Sequence, residues 1–431
     1  MSKIAIIGSG YVGLSTGAYL AHIGHDVVCL DVVPEKVERL NRGEIPIFET
    51  GLQEMVQGGL GTGKLRFVLD RHEAVPGAEF VFLCLPTPQG HDGSADLSYV
   101  REEAEQLGPI LDTNAIVINK STLPVGSTRL VQRSLGRGDV FVVSNPEFLR
   151  EGSAVHDCLN PDRIVIGADD AAAASRVAAL YARIHAPVLV TDPASAELIK
   201  YASNAFLATK ISYINAIANL CEVVGADVRE VVIGMGYDKR IGFEFLRPGP
   251  GWGGSCFPKD TRALVRIAED AGYDFSLLEG VIGVNNEQYE RMVLKIAAAC
   301  PDGVVQGATI AVLGLTFKAL TDDLRDSPAL EVVGRLVAHR ARVQAYDPMV
   351  PPARAATVRE LEGVDVRTDA YAACDRADLV VVLTEWDEFR WLDYAKVHDL
   401  LARPAIVDCR NVLDPAPLRR RGFSYVGVGR R

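Results

Sequence analysis

The run Lys3-Ile-Ala-Ile-Ile-Gly8-Ser-Gly10-Tyr-Val-Gly13 decides the fold. A short β-branched stretch ends in glycines and passes at once into a helical pattern. Gly8 permits a tight turn and Gly10 lets the backbone approach a pyrophosphate; Gly13, beside Val12, lets helix and strand pack closely. A diphosphate at such a helix start meets unpaired N–H groups and the positive end of the helix dipole. Asp31 completes the pattern by ending a second apolar run, Val27-Val-Cys-Leu-Asp31. A carboxylate there accepts both ribose hydroxyls and repels a 2′-phosphate, so the pattern predicts NAD rather than NADP. Taken alone, Asp31 is equally a helix-capping or surface residue. Lys36 either reaches the adenosine ribose or stays solvated.

Working outward, residues 3–7, 26–30, 79–85, 115–119 and 140–144 read as buried parallel strands separated by helices. This predicts an α/β chain whose N-terminal Rossmann domain spans residues 1–192. Residues 193–224 carry small and apolar side chains at helical spacing and meet no further proline, so they predict one long helix stopped by Gly225. That helix is either a subunit interface or packing between domains. It opens a helical middle region, 193–300, interrupted by a glycine- and proline-rich loop. Strand patterns resume at 308–313, 342–346, 378–383 and 405–408, giving a C-terminal Rossmann-like α/β domain over 301–431.

Composition narrows the partners. The 431 residues are 48% hydrophobic and carry 45 Lys and Arg against 56 Asp and Glu, a net charge of −11. So acidic a chain is a poor binder of nucleic acid or anionic membrane, and any anionic substrate needs its positive charge gathered locally. The apolar runs are too short for a bilayer, and the first strand pattern leaves no room for a signal peptide, which predicts a cytoplasmic protein. Eight cysteines show no Cys-x-x-Cys pair, so neither a disulfide framework nor a metal site is expected.

One cysteine stands apart. In Gly249-Pro-Gly-Trp-Gly-Gly-Ser-Cys256-Phe-Pro-Lys-Asp260, glycines that allow close backbone approach precede Cys256, and Lys259 and Asp260 follow it. A free thiol titrates near about 8.5, and a neighbouring cation or exposed N–H groups increase its thiolate fraction. Lys200 and Asn204 lie four residues apart on one helix face, where a cation and an amide together can steady an oxyanion. By itself that pair is an ordinary exposed one.

Further stretches recur in order: Leu85-Pro-Thr-Pro88, Ser121-Thr-Leu-Pro-Val-Gly126, Asn145-Pro-Glu-Phe-Leu-Arg-Glu-Gly152, Glu197-Leu-Ile-Lys200, Gly314-Leu-Thr-Phe-Lys318 and Asp322-Asp-Leu-Arg-Asp-Ser327. Together with the dinucleotide turn and the Cys256 loop, they resemble the UDP-glucose/GDP-mannose dehydrogenase family over essentially the whole chain. The loop wording is most similar to the branch acting on UDP-glucose; Ser255 stands where branches acting on N-acetylated sugars usually show His. The resemblance implies a four-electron oxidation of the sugar C6 alcohol to a carboxylate in two hydride transfers to NAD⁺, with a thiohemiacetal and then a thioester on Cys256. It implies oxyanion stabilisation by Lys200 and Asn204, and proton and water handling by Asp260, Glu147 and Thr122. Which carboxylate is the base depends on geometry. It further implies cofactor contacts from Thr87, Pro88, Ser121, Thr122, Glu151 and Arg325. Substrate contacts are implied for Glu147, Phe148, Leu149, Phe245, Leu246, Arg247, Gly253, Phe317, Lys318 and Arg410, and for Arg240 reaching a neighbouring subunit, hence at least a homodimer. The dispersed cations would supply the local positive charge that the composition demands. Trp252 and the Arg247-Pro-Gly-Pro wording depart from the family's usual pattern, which puts sugar and nucleotide identity in question. Rival readings are the same reaction on dTDP-glucose or GDP-mannose, a single-step β-hydroxyacid dehydrogenase, and a non-catalytic NAD-binding scaffold.

Overall fold

The computed structural model describes residues 1–90 and 93–430. The chain divides into two compact units, one of Met1–Ser203 with Arg262–Tyr273 and one of Asn204–Thr261 with Asp274–Arg431.

In the first unit β1 (Lys3–Ile7), β2 (Asp26–Leu30), β3 (Leu65–Val68), β4 (Phe80–Leu83), β5 (Ile116–Asn119), β6 (Phe141–Ser144), β7 (Ile164–Gly167) and β8 (Val188–Thr191) form one sheet, ordered β3-β2-β1-β4-β5-β6-β7-β8. Pairing is parallel except where Ser144 meets Gly167 between β6 and β7. Both faces are covered. Ile4, Ile6, Ile116 and Ile118 face one buried cluster and Ala5, Ile7, Val81 and Val117 the other, which is why these strands read as continuous apolar runs. Each fully buried Ile or Val contributes about 1.5–3 kcal/mol. Three strands were not legible as such. In β3 the four residues are interrupted by exposed Arg66; β7 is equally short, and β8 is an exposed edge with no buried alternation.

The second unit repeats the scheme with β9 (Thr309–Leu313), β10 (Arg342–Tyr346), β11 (Val364–Val366), β12 (Leu379–Val382), β13 (Ala405–Asp408) and β14 (Ser424–Gly427), ordered β11-β10-β9-β12-β13-β14. The short edge strands β11 and β14 are the additions to the sequence reading. In both sheets strand order reverses beside the first strand, the position where open α/β sheets bind ligands at their carboxyl ends. The helix Pro193–Val224 runs uninterrupted for 32 residues and stops at Gly225, whose φ of 75° a side chain would resist.

Candidate active site

At the end of β1, Gly8 has φ 94°, and a Cβ there would lie 2.6 Å from the Cys84 carbonyl oxygen, so only glycine fits. The helix Tyr11–His22 begins with Gly10 at its N-cap and no side chain bonded there, leaving its first N–H groups for a ligand. Gly13 packs against the turn: a Cβ would meet the Gly8 carbonyl oxygen at 1.8 Å. Asp31, directly after β2, accepts the Ser9 N–H at 3.1 Å and the Lys36 ammonium at 2.6 Å. Exposed Val32, Val33 and Leu69 follow β2 and β3 and supply apolar surface suited to a base. These residues fit a dinucleotide: open backbone donors, a cradle that a Cβ would fill, and a ribose-height carboxylate. The loops after β4 and β5 are stitched together, with Ser121 Oγ donating to the Leu85 carbonyl at 2.7 Å and Thr87 Oγ1 to that of Thr122 at 3.3 Å. Pro88 is exposed beside them, and Glu151 is half-buried.

The same unit brings Glu147 and Lys200 together, 2.9 Å apart and both almost fully buried. Burial alone would raise the Glu147 carboxyl. The Lys200 ammonium, its hydrogen bond and the Leu149 N–H at 2.6 Å outweigh that and hold it below the ordinary carboxylate value. Phe148 has two cations near its ring, the Arg163 guanidinium 3.6 Å and Lys200 Nζ 5.3 Å from the centroid. Behind Glu147 is a cavity of about 130 Å³ bordered by Lys120, Asn145, Cys158 and Tyr181. Lys120 donates to Asn145 Oδ1 at 3.2 Å, and burial lowers its pKa. Glu197 reaches from the long helix to the Gly126 N–H at 2.7 Å and to the Thr128 N–H and hydroxyl, each at 2.7 Å. It thereby fixes the far end of the Ser121–Gly126 loop, to which Thr122 belongs.

In the second unit, Asn204 Nδ2 donates to Asp260 Oδ2 at 2.6 Å, and Lys259 Nζ approaches Asp260 Oδ1 at 2.6 Å. Asp260 is wholly buried, with both oxygens engaged. Cys256 directly precedes the helix Phe257–Asp270, and its carbonyl accepts the Asp260 N–H at 2.9 Å, which puts it at the helix's positive end. Its sulfur lies 3.6 Å from Ser255 Oγ. Seven of the eight cysteines are buried; Cys256 is the one partly open to solvent. Side-chain amides hold the loop before it: Asn215 accepts the Gly249 N–H, Gln288 donates to the Gly249 carbonyl, and Asn285 accepts from and donates to the Trp252 backbone. Trp252 is itself buried, its indole N–H donating to Ser212 at 2.8 Å. The departure from the family's wording is therefore a packing residue. Gly253 allows the backbone to pass Asp326, whose carbonyl oxygen would be 1.9 Å from a Cβ.

Arg410, after β13, donates to the Leu383 carbonyl and, at 2.9 Å, to that of Phe317, so it bridges the carboxyl ends of β12 and β9. Lys318 Nζ is 5.4 Å from the Phe317 ring. Phe245 has φ 64° and its ring is 6.3 Å from that of Phe257; Leu246 is buried, and Arg247 is exposed. Two cations are held locally, Arg325 forked on Asp323 and Arg240 forked on Asp238, the closest contact 2.6 Å in each. Among the described residues no group of His, Cys, Asp and Glu is placed to hold a metal ion.

Sequence reasoning missed Lys120, Glu197 and the Asn215–Asn285–Gln288 set. Glu197 and Asn145 stand inside quoted motifs, and a buried polar residue in such a stretch is a signal that could have been used. The three amides sit on ordinary-looking helices, with no local signal.

Family models match in chain order: the NAD binding domain of the UDP-glucose/GDP-mannose dehydrogenase family over residues 2–185, its central domain over 194–287 and its UDP binding domain over 311–415. The UDP-glucose 6-dehydrogenase TuaD of Bacillus subtilis (strain 168) is 46% identical over 435 residues, covering 100% of this chain and 94% of that protein. A UDP-glucose 6-dehydrogenase of Rhizobium meliloti (strain 1021) is also 46% identical, covering 99% of each. A solved UDP-glucose dehydrogenase from the hyperthermophilic archaeon Pyrobaculum islandicum superposes with a TM-score of 0.92 at 39% identity, covering 100% of this chain and 98% of that one. Likeness of this extent, carried by all three domains in order, makes this chain a member of the UDP-glucose/GDP-mannose dehydrogenase family.

Proposed function

We propose that the chain is a UDP-glucose 6-dehydrogenase, oxidising the C6 alcohol of UDP-glucose to the carboxylate of UDP-glucuronate. NAD⁺, when bound, accepts hydride, once from the alcohol and once at the aldehyde level. Gly8, Gly10, Val12 and Gly13 would hold its diphosphate, Asp31 and Lys36 its adenosine ribose, with Thr87, Pro88, Ser121, Thr122, Glu151 and Arg325 along its length. In this reading the Cys256 sulfur adds to the aldehyde carbon, forming a C–S bond and a thiohemiacetal hydroxyl. Loss of hydride from that carbon and of the hydroxyl proton leaves a thioester, and water then displaces the thiol to release the acid. Lys200 and Asn204 donate to the C6 oxygen as charge develops on it. Glu147, kept ionised by Lys200, is the carboxylate suited to accept a proton from the attacking water, with Thr122 orienting it. Asp260 has both oxygens occupied by Asn204 and Lys259, which suits a positioning and charge-balancing task. Phe317, Lys318 and Arg410 would receive the nucleotide end; Phe148, Leu149, Phe245, Leu246, Arg247 and Gly253 would line the sugar and diphosphate.

The observation that carries this reading is the placement of Cys256, the one cysteine open to solvent, at a helix start that also carries half-buried Lys259 and buried Asp260, the latter bonded to buried Asn204. A homodimer is part of it. Phe206, Tyr213 and Leu220 recur every seven residues on the long helix and are 64%, 52% and 53% exposed, an apolar stripe fit for a partner copy that Arg240 would also reach. We further assign the functional division 1–192, 193–300 and 301–431, and the cytoplasm, where NAD⁺ and nucleotide sugars are available. The test is a panel of UDP-glucose, dTDP-glucose, GDP-mannose and UDP-N-acetyl sugars. UDP-glucose should give two NADH per sugar, whereas one NADH per substrate would favour a single-step dehydrogenase. Cys256→Ala should form no acid while still binding NAD⁺, and normal acid release by it would end the thioester reading.

A further inference from the structure

The mechanism above gives no task to the buried carboxylate of Glu49. Glu49 is 5% exposed and belongs to no strand or helix. Its Oε2 accepts the Tyr11 hydroxyl and, at 2.7 Å, the Gly152 N–H; its Oε1 accepts the Ala154 N–H at 2.8 Å. Tyr11 is the first residue of the dinucleotide helix, and its hydroxyl also lies 3.4 Å from the Arg150 carbonyl. Gly152 ends the Asn145–Gly152 stretch that carries Glu147 and Glu151, and Ala154 lies two residues beyond it. A second carboxylate, Asp157, secures the same stretch by accepting the Arg150 N–H at 2.9 Å and its guanidinium at 2.6 Å. Asp157 reaches no part of the dinucleotide turn in these bonds; Glu49 does. A carboxylate whose three donors lie 38, 103 and 105 residues from it in sequence defines the spacing of those segments more tightly than neutral contacts would.

We infer that Glu49 is a positioning residue: through Tyr11 it ties the dinucleotide-binding turn to the loop bearing Glu147, so that occupancy of the turn orders the loop. This rests on the NAD reading of the turn. Burial, followed by the hydrogen bond to Glu49, raises the Tyr11 phenol, so it stays protonated and keeps donating at physiological pH. Because the tie is one hydroxyl and one carboxylate, either partner's loss should break it.

The experiment uses the full chain, NADH as probe, and two variants, Tyr11→Phe and Glu49→Gln. NADH affinity is read by fluorescence titration and backbone exchange of residues 145–157 by mass spectrometry. Each variant should weaken NADH by about tenfold, and the double variant should be no weaker than the weaker single. Adding NADH should slow exchange of the 145–157 segment in the unchanged chain but not in Tyr11→Phe, which keeps its ring and therefore its packing even if Glu49→Gln folds poorly. Additive losses, or undiminished slowing in Tyr11→Phe, would overturn the tie. Failure of the unchanged chain to bind NADH would instead remove the cofactor reading beneath it.

Discussion

Two aspartates occupy the same topological place and have opposite surroundings. Asp31 follows β2 and Asp347 follows β10, the second strand of each sheet. The match is close: Ile7 pairs with Leu30 and Leu313 with Tyr346, and the next glycine in each sheet donates its N–H to that partner's carbonyl, Gly8 at 2.9 Å and Gly314 at 2.8 Å. Each aspartate then accepts the N–H just beyond the glycine, Ser9 at 3.1 Å and Leu315 at 2.7 Å. Each also accepts on Oδ1 the N–H two residues on, Val33 at 3.2 Å and Met349 at 2.8 Å, and the difference lies on Oδ2. Asp347 goes on to accept the Thr316 N–H and hydroxyl and the Trp386 indole, so its Oδ2 is saturated by its own unit. Asp31 has only Lys36 added on that oxygen and lies beside exposed Val32 and Val33. One scaffold thus leaves, in the first sheet, a carboxylate with few partners that the proposed function gives to a ribose, and in the second a carboxylate that shapes the loop leading to Phe317 and Lys318.

Substitutions can break this contrast. The largest effect belongs to Asp347→Ala, which strands several buried donors and should lower unfolding stability by about 3 kcal/mol or more in a denaturant titration. NADH affinity per folded molecule should be unchanged, and an unaltered unfolding midpoint would show that the buried carboxylate is dispensable. Next come the glycines. A Cβ on Gly314 would lie 2.4 Å from Thr384 Cβ, and one on Gly8 2.6 Å from the Cys84 oxygen. Alanine should cost about 2 kcal/mol of stability at either position, but only Gly8→Ala should also abolish NADH binding. Asp31→Ala should raise the NADH dissociation constant about tenfold and, because it strands the buried Ser9 N–H, cost about 1 kcal/mol of stability; a stability loss above that of Asp347→Ala with unchanged NADH affinity would erase the distinction. The smallest effect is a pH slope. Glu147's folded pKa is depressed, so its contribution is present above the unfolded value and fades as pH falls through the folded one. Glu147→Gln should flatten the acid side of a stability–pH curve, and an unchanged curve would mean that Lys200 stabilises nothing there.

How far the sequence carried follows the same physics. Strands β1, β2, β10 and β13 and the helix Pro193–Val224 match their expected limits, because burial on both faces, or a proline start and glycine stop, mark them locally. Strands of three or four residues at sheet edges carry too few side chains for a pattern. The Lys200–Glu147 and Asn204–Asp260 pairs unite residues that the motifs had named but not joined. Glu49 and Asp347 were illegible for a shared reason: each carboxylate accepts backbone N–H groups remote in sequence, and backbone donors leave no trace in residue identity.

The distribution of thiols has a practical corollary. Sulfur that is sealed in a core reacts with dissolved alkylating agents or peroxide only after local opening, whereas sulfur in contact with water reacts from the folded state. Damage would therefore begin at Cys256, and under the proposed mechanism it would silence turnover while the fold survives. Towards a water-borne electrophile, a chain with eight thiols behaves as a chain with one.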